Sequence, residues 1–281
     1  MNKIESGVTA KVRQVIKKQS GSPAYIRDDV FDLLKPFALF DAGIINQPEM
    51  TIGWHPHSGV ATITMPYDAD LNHADSEGNG DTIKSRGLQW MASGSGVWHK
   101  ENYVAQHDHI GILQLWLLLP PDEETAPVRY FNLQPNEVPQ VQNVRVLLGE
   151  YQGVKAAAEV SHNVSYLHIK LMKGEEFNWQ FPKGQTRGFV YPLTGALSIN
   201  QQAFHAEQMA LLEEQTGNSE VEIFINAEAD SEFVLALVAP WVHEVITHRG
   251  QMHTTDTALA VGKKQIQQLG NELIKRAEIQ K

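Results

Sequence analysis

The chain has 281 residues, 42% of them hydrophobic, with no cysteine and a formal net charge of −10. A chain of this size and composition buries a core as one large or two medium domains, and the lack of cysteine excludes disulfides, thiolate catalysis, iron–sulfur clusters and cysteine-bound zinc. Phosphate recognition needs clustered Lys and Arg, so the acidic balance argues against direct nucleic-acid binding, and no run reaches the roughly 18–20 apolar residues of a membrane helix.

Residues 1–25 are polar with scattered apolar positions, Val8, Val12 and Ile16, the pattern of an edge strand or a loose arm. The basic residues Lys11, Arg13, Lys17 and Lys18 precede no apolar core or small-residue cleavage site, so a cytoplasmic protein is expected. Pro36 breaks any helix over residues 31–41, and Phe37 to Phe40 suit a strand edge. Trp54-His55-Pro56-His57 follows, flanked by Gly53 and Gly59. In a strand, residues two apart share a face, so His55 and His57 present two imidazoles on one side. Val60 to Met65 is a β-branched strand stopped by Pro66, and Asp75 to Asp81 holds the Gly, Asn and Asp of a hairpin loop.

A second pair, His99 and Glu101, stands in Trp98-His99-Lys100-Glu101 after Gly94 and Gly96. Three imidazoles and one carboxylate suit a first-row divalent transition metal better than calcium or magnesium, which prefer all-oxygen cages. Glycines around both pairs mark the bulges and tight corners of a small β-barrel. Gly111 to Leu119 is almost continuously apolar, the pattern of a central strand, and ends at Pro120-Pro121.

Residues 120–139, rich in proline and acidic positions, read as the connection leaving the first barrel. Strands are expected from Val144 to Leu148, Ser165 to Met172, Gly188 to Pro192, Ala196 to Asn200, Met209 to Leu212 and Phe233 to Val238, a second barrel or sandwich. From Asp256 to Lys281, Leu259, Ile266, Leu269, Leu273 and Ile274 fall at helical spacing behind an N-cap at Thr254 to Asp256, an amphipathic helix that must cover something.

The ordered set His55-Pro56-His57-Ser58-Gly59, Asp75-Ser76, Leu88-Gln89-Trp90-Met91, Gly94, Gly96, His99, Glu101 and Leu113-Gln114-Leu115-Trp116 resembles the pirin family, a branch of the cupin superfamily. The resemblance covers residues 30–120 well and the second half mostly as a strand pattern. It implies a mainly β fold of two tandem cupin barrels: residues 1–135 with the metal, 136–255 without one, and a terminal helix over 256–281. It implies ligands at His55, His57, His99 and Glu101. The family's usual Pro-Gly-Asp turn appears here as Ser85-Arg86-Gly87, and its Asp-Pro-Phe as Lys35-Pro36-Phe37, so the pocket-side loop has changed charge.

The function implied is a metal-dependent dioxygenase of the quercetinase type, cleaving a flavonol-like aromatic with dioxygen. Iron(II) leads among the ions, and nickel, copper, zinc and manganese also suit the ligands. Glu101 doubles as ligand and base, roles in partial conflict because a tightly held carboxylate has a lowered pKa. Phe37, Met91 and Trp98 are candidate apolar walls for a planar ring. The rival is a non-catalytic, metal-dependent regulator working through a protein partner, and a third reading is a purely structural zinc-type site; a monomer is expected in each case. Of the remaining histidines, His107-Asp108-His109 reads as a loop, His205 as a surface residue, and His243, His248 and His253 as a cluster before the helix. His73 either orients a ligand or lies in a solvated loop.

Overall fold

Antiparallel strands dominate the computed structural model, which describes residues 8–18, 24–216 and 220–279. Contacts divide the chain into two units, each assembled from separated stretches: residues 35–138 with 241 onward, and the chain up to residue 34 with 139–240. This differs from the contiguous boundaries at 135 and 255 expected from sequence, because the first strands pair into the sheets of the later half while the hairpin and helix at the other end pack on the first unit.

In the first unit a five-stranded sheet runs in the order Arg129–Leu133, Leu88–Ala92, Val60–Thr64, Ile110–Leu118, Phe37–Ile45. A four-stranded sheet runs Glu49–His57, Val97–Ala105, Ala69–Asp75, Gly80–Ile83. Ile110 and Ile112 of the first pack with Ala69, Leu71, Ile83 and Tyr103 of the second, all buried, so the two sheets face each other across a shared core. The apolar strand Ile110–Leu118 is paired on both edges, as its near-continuous hydrophobicity implies. The expected connection at 120–139 is more than a linker, since Arg129–Leu133 pairs with Leu88–Ala92 and completes the sheet.

Two late elements belong to this unit. The hairpin Ile246–His248 with Gln251–His253 leads into the helix Asp256–Lys275, whose N-cap Thr255 accepts the Ala258 amide at 3.1 Å. The helix buries Leu259, Ile266, Leu269 and Leu273 in contact with the strands Val97–Ala105 and Gln251–His253. Each such side chain contributes about 1.5–3 kcal/mol.

The other unit repeats the plan with a seven-stranded sheet and a smaller one around a core that includes Leu167, Leu197, Phe204, Ile223, Phe233 and Leu235. The apolar positions near the start of the chain find their use here: Val12–Lys17 pairs antiparallel with Gln208–Leu212, and Val8–Thr9 lies parallel to Val221–Glu222. Strands at Glu176–Gln180, Gln202–His205 and Val221–Ala227 were not expected from the sequence, although Val221, Ile223, Ile225 and Ala227 are buried at alternate positions of the last.

Candidate metal centre

His55 and His57 reach the interior because of a bulge. Ile52 pairs with Glu101 and His55 with His99, so three residue steps on one strand match two on the other. Gly53 and Trp54 absorb the extra residue, and both Ile52 and His55 therefore face inward beside Glu101 and His99. Trp54 stays on the outer face, where the Lys100 ammonium lies 5.0 Å from its ring centroid.

The ring centroids of His55, His57 and His99 lie 4.2–5.0 Å apart, and one ligand nitrogen from each falls within 4.8 Å of the other two. His55 donates Nδ1–H to the Gly53 carbonyl at 2.8 Å, and His57 donates Nδ1–H to the Gly250 carbonyl at 3.3 Å. His99 Nδ1 meets His73 Nε2 at 3.2 Å. With each Nδ1 engaged, the Nε2 atoms are left to converge, and that of His99 is buried with no hydrogen-bond partner. An orphaned buried acceptor costs about 1–3 kcal/mol, which a cation at that point would remove. The residues present thus fit a divalent transition metal.

Burial keeps these rings neutral, the form that binds metal. It lowers His57 to about 3, with the charge of His55 adding and the Gly250 carbonyl opposing. His73 falls to about 4 through burial and His55, and His99 lies well below its ordinary value for the same reasons with His57 and His73 included.

Glu101 is buried two residues beyond His99, but its carboxylate is not among the donors within 4.8 Å of one another. Gln114 Nε2 donates to its Oε1 at 3.4 Å and to Thr64 Oγ1 at 3.1 Å, and Trp116 Nε1 donates to Gln114 Oε1 at 2.9 Å. Burial, with Asp41 adding and Tyr103 partly offsetting, pushes the carboxyl up to about 7.

The facing wall comes from the five-stranded sheet. Tyr130, Met91, Thr62, Trp116 and Leu39 are successive cross-strand partners and share one face. The Trp116 ring lies 4.6 Å from His57 and the Tyr130 ring 4.9 Å from His73, so Met91 and Thr62 occupy the row between them. Phe37 is wholly buried, and a register shift aligns it with Leu117 and not with Trp116. Trp98 corrects the sequence expectation: as the neighbour of His99 along the strand it points to the opposite face. There its Nε1 donates to the Ile266 carbonyl at 2.9 Å and its ring abuts Gly270.

The hairpin before the helix was invisible as a site element. Gly59 has φ +74°, and a Cβ there would lie 1.8 Å from the Met252 carbonyl oxygen, so only glycine admits the hairpin backbone. Met252 N donates to Ser58 O at 3.0 Å, which brings Gly250 to His57. Beside it Ser58 Oγ lies 2.8 Å from His253 Nε2, and Glu124 accepts from Thr254 N and Oγ1, both at 2.6 Å. His253 is thus a buried anchor of the hairpin, while His109 sits on an exposed loop bonded to Asp108 at 2.8 Å and His205 to the Ala206 carbonyl at 2.9 Å. The roles of Gln114 and Trp116 had one sequence signal, polar-capable side chains two apart in an otherwise apolar strand.

Residues 14–117 match the family model described as Pirin. A Pseudomonas aeruginosa protein named as a putative quercetin 2,3-dioxygenase is 30% identical over 204 residues, 67% of this chain and 71% of that one. A Thermoplasma acidophilum protein with the same name is 26% identical over 229 residues, 72% and 85% of the two chains. The crystal structure of a quercetin 2,3-dioxygenase from Acinetobacter baumannii matches with TM-score 0.80 and 26% identity over 92% of this chain and 96% of that one. An Escherichia coli bacterial pirin solved with nickel(II) shares the fold, at TM-score 0.63 and 20% identity over 81% and 99%. Among the described residues no helix is long and apolar enough to cross a membrane.

Proposed function

The chain belongs to the pirin family, and from that premise we propose that it is a metal-dependent dioxygenase opening the ring of a flavonol-type aromatic. The observation that carries the reading is the convergence of three imidazoles that each bring one ligand nitrogen within 4.8 Å of the other two while every Nδ1 has a partner of its own. His55, His57 and His99 hold the ion and Glu101 is the fourth ligand or its near neighbour. A bound divalent ion, proposed as iron(II), supplies Lewis acidity toward a substrate hydroxyl and a redox partner for dioxygen.

The remaining work falls to the protein. The Glu101 carboxylate is placed to take the proton of the substrate hydroxyl, and the Gln114 amide orients Oε1 for that transfer. Trp116, Met91, Thr62 and Tyr130 form the wall across from the imidazoles, a surface suited to a flat ring bearing hydroxyls. The charge of −10 argues against direct nucleic-acid binding.

The test is anaerobic loading with iron(II), addition of quercetin and then air. Loss of the flavonol absorbance is expected, abolished in His55→Ala and reduced in Glu101→Ala. No loss above the His55→Ala background, with iron bound at one per chain, refutes turnover and leaves the regulatory role.

A further inference from the structure

Two of the three converging imidazoles give Nδ1 to main-chain carbonyls, those of Gly53 and Gly250. His99 differs. Its Nδ1 partner is a side chain, His73 Nε2 at 3.2 Å. In register His73 stands opposite Glu101, so it shares the inward face of the four-stranded sheet with Glu101 and His99. Its ring is stacked on Tyr130, with centroids 4.9 Å apart and planes 16° from parallel, and Asn132 Nδ2 donates to the Tyr130 hydroxyl at 2.7 Å. The ring is thus buried, stacked from one side and aimed at a single nitrogen.

Resting on the reading of the three imidazoles as a metal centre, we propose that His73 is the positioning residue for His99, fixing its tautomer and its strength as a donor. Coordination through Nε2 leaves the His99 proton on Nδ1, where it needs an acceptor. His73 Nε2 is that acceptor, so the His73 proton sits on Nδ1, an atom buried without a hydrogen-bond partner. Histidine ligands are commonly backed by a carboxylate or a backbone carbonyl, which draws the Nδ1 proton toward a full or partial negative charge. An uncharged imidazole draws it less than a carboxylate would. His99 therefore donates less electron density, which keeps the centre more electrophilic toward a substrate oxyanion. Because the partner is a side chain, this donor strength is the one of the three that a substitution can tune.

The experiment uses the full chain. Cobalt(II) is titrated into chelator-stripped parent, His73→Phe, His73→Gln and His73→Glu, with Kd from chelator competition and the d–d absorption recorded; imidazole 15N NMR is taken on the zinc-loaded parent. His73→Phe keeps a ring to stack on Tyr130 but removes the acceptor, and a roughly 10–100-fold weaker cobalt Kd is expected. His73→Gln restores an uncharged acceptor and most of the affinity. His73→Glu holds cobalt at least as tightly as the parent with a shifted d–d band. In the zinc-loaded parent, both His99 and His73 are protonated on Nδ1. A parent-like Kd and spectrum in His73→Phe overturns the role of His73 and leaves the centre intact. The opposite tautomer of His73 overturns it whether or not the variants fold. Failure of the parent to take up one cobalt per chain overturns the metal centre itself, and this assignment with it.

Discussion

The buried carboxyl of Glu101 gives the site a pH signature that can be isolated by one isosteric change. In the metal-free chain burial and the neighbouring Asp41 raise it from 4.5 to about 7. A folded-state pKa above the unfolded value means that the contribution to stability is full below about 4.5 and is lost as pH rises through about 7. The shift corresponds to roughly 3 kcal/mol at about 1.4 kcal/mol per pH unit. Glu101→Gln keeps the shape and hydrogen-bonding capacity and abolishes the titration. Urea unfolding of chelator-stripped parent and variant should show the variant gaining on the parent by roughly 3 kcal/mol between pH 4.5 and 8. Taking the difference cancels the neighbouring histidines, whose lowered pKa values act in the opposite direction. Zinc loading should reverse the trend, because a nearby dication favours the carboxylate. A parent–variant difference that stays constant with pH in the stripped proteins would refute a carboxyl buried without a cation.

Stripping the metal should itself lower Tm, since a ligand at 1,000 times its Kd adds about 4 kcal/mol, and His57→Ala should lose both the metal and the effect; a Tm indifferent to chelators refutes a bound ion. Trp98→Phe removes the donor to the Ile266 carbonyl and should cost about 1–2 kcal/mol in thermal unfolding while leaving cobalt Kd and flavonol KM unchanged. A raised KM would return Trp98 to the substrate pocket. At Gly262 a Cβ would lie 2.6 Å from Ser58 Oγ and 2.7 Å from His253 Nε2, so Gly262→Ala should lose about 1–3 kcal/mol of stability. An unchanged Tm there would show that the contact between helix and hairpin is loose.

Periodicity two in Trp54-His55-Pro56-His57 and Trp98-His99-Lys100-Glu101 was enough to place each pair on one strand face, and period 3.6 over Leu259, Ile266, Leu269 and Leu273 was enough for the terminal helix. Those are local properties, set by how successive side chains leave the backbone, so the sequence by itself determined them. It also determined the donor types, and with no cysteine present histidine was left to dominate the centre. What only the tertiary structure decided were the partners. Nothing local brings Gly250 to His57, sets His73 against His99, or turns Trp98 toward Ile266; each depends on a pairing register, a bulge or a docking hairpin. The same holds for Val12–Lys17, whose apolar positions called for a neighbour without naming it, and which pair with Gln208–Leu212. Strand pairing is non-local: the energy that selects a partner comes from faces buried between distant segments, and it is absent from any window of the chain read alone.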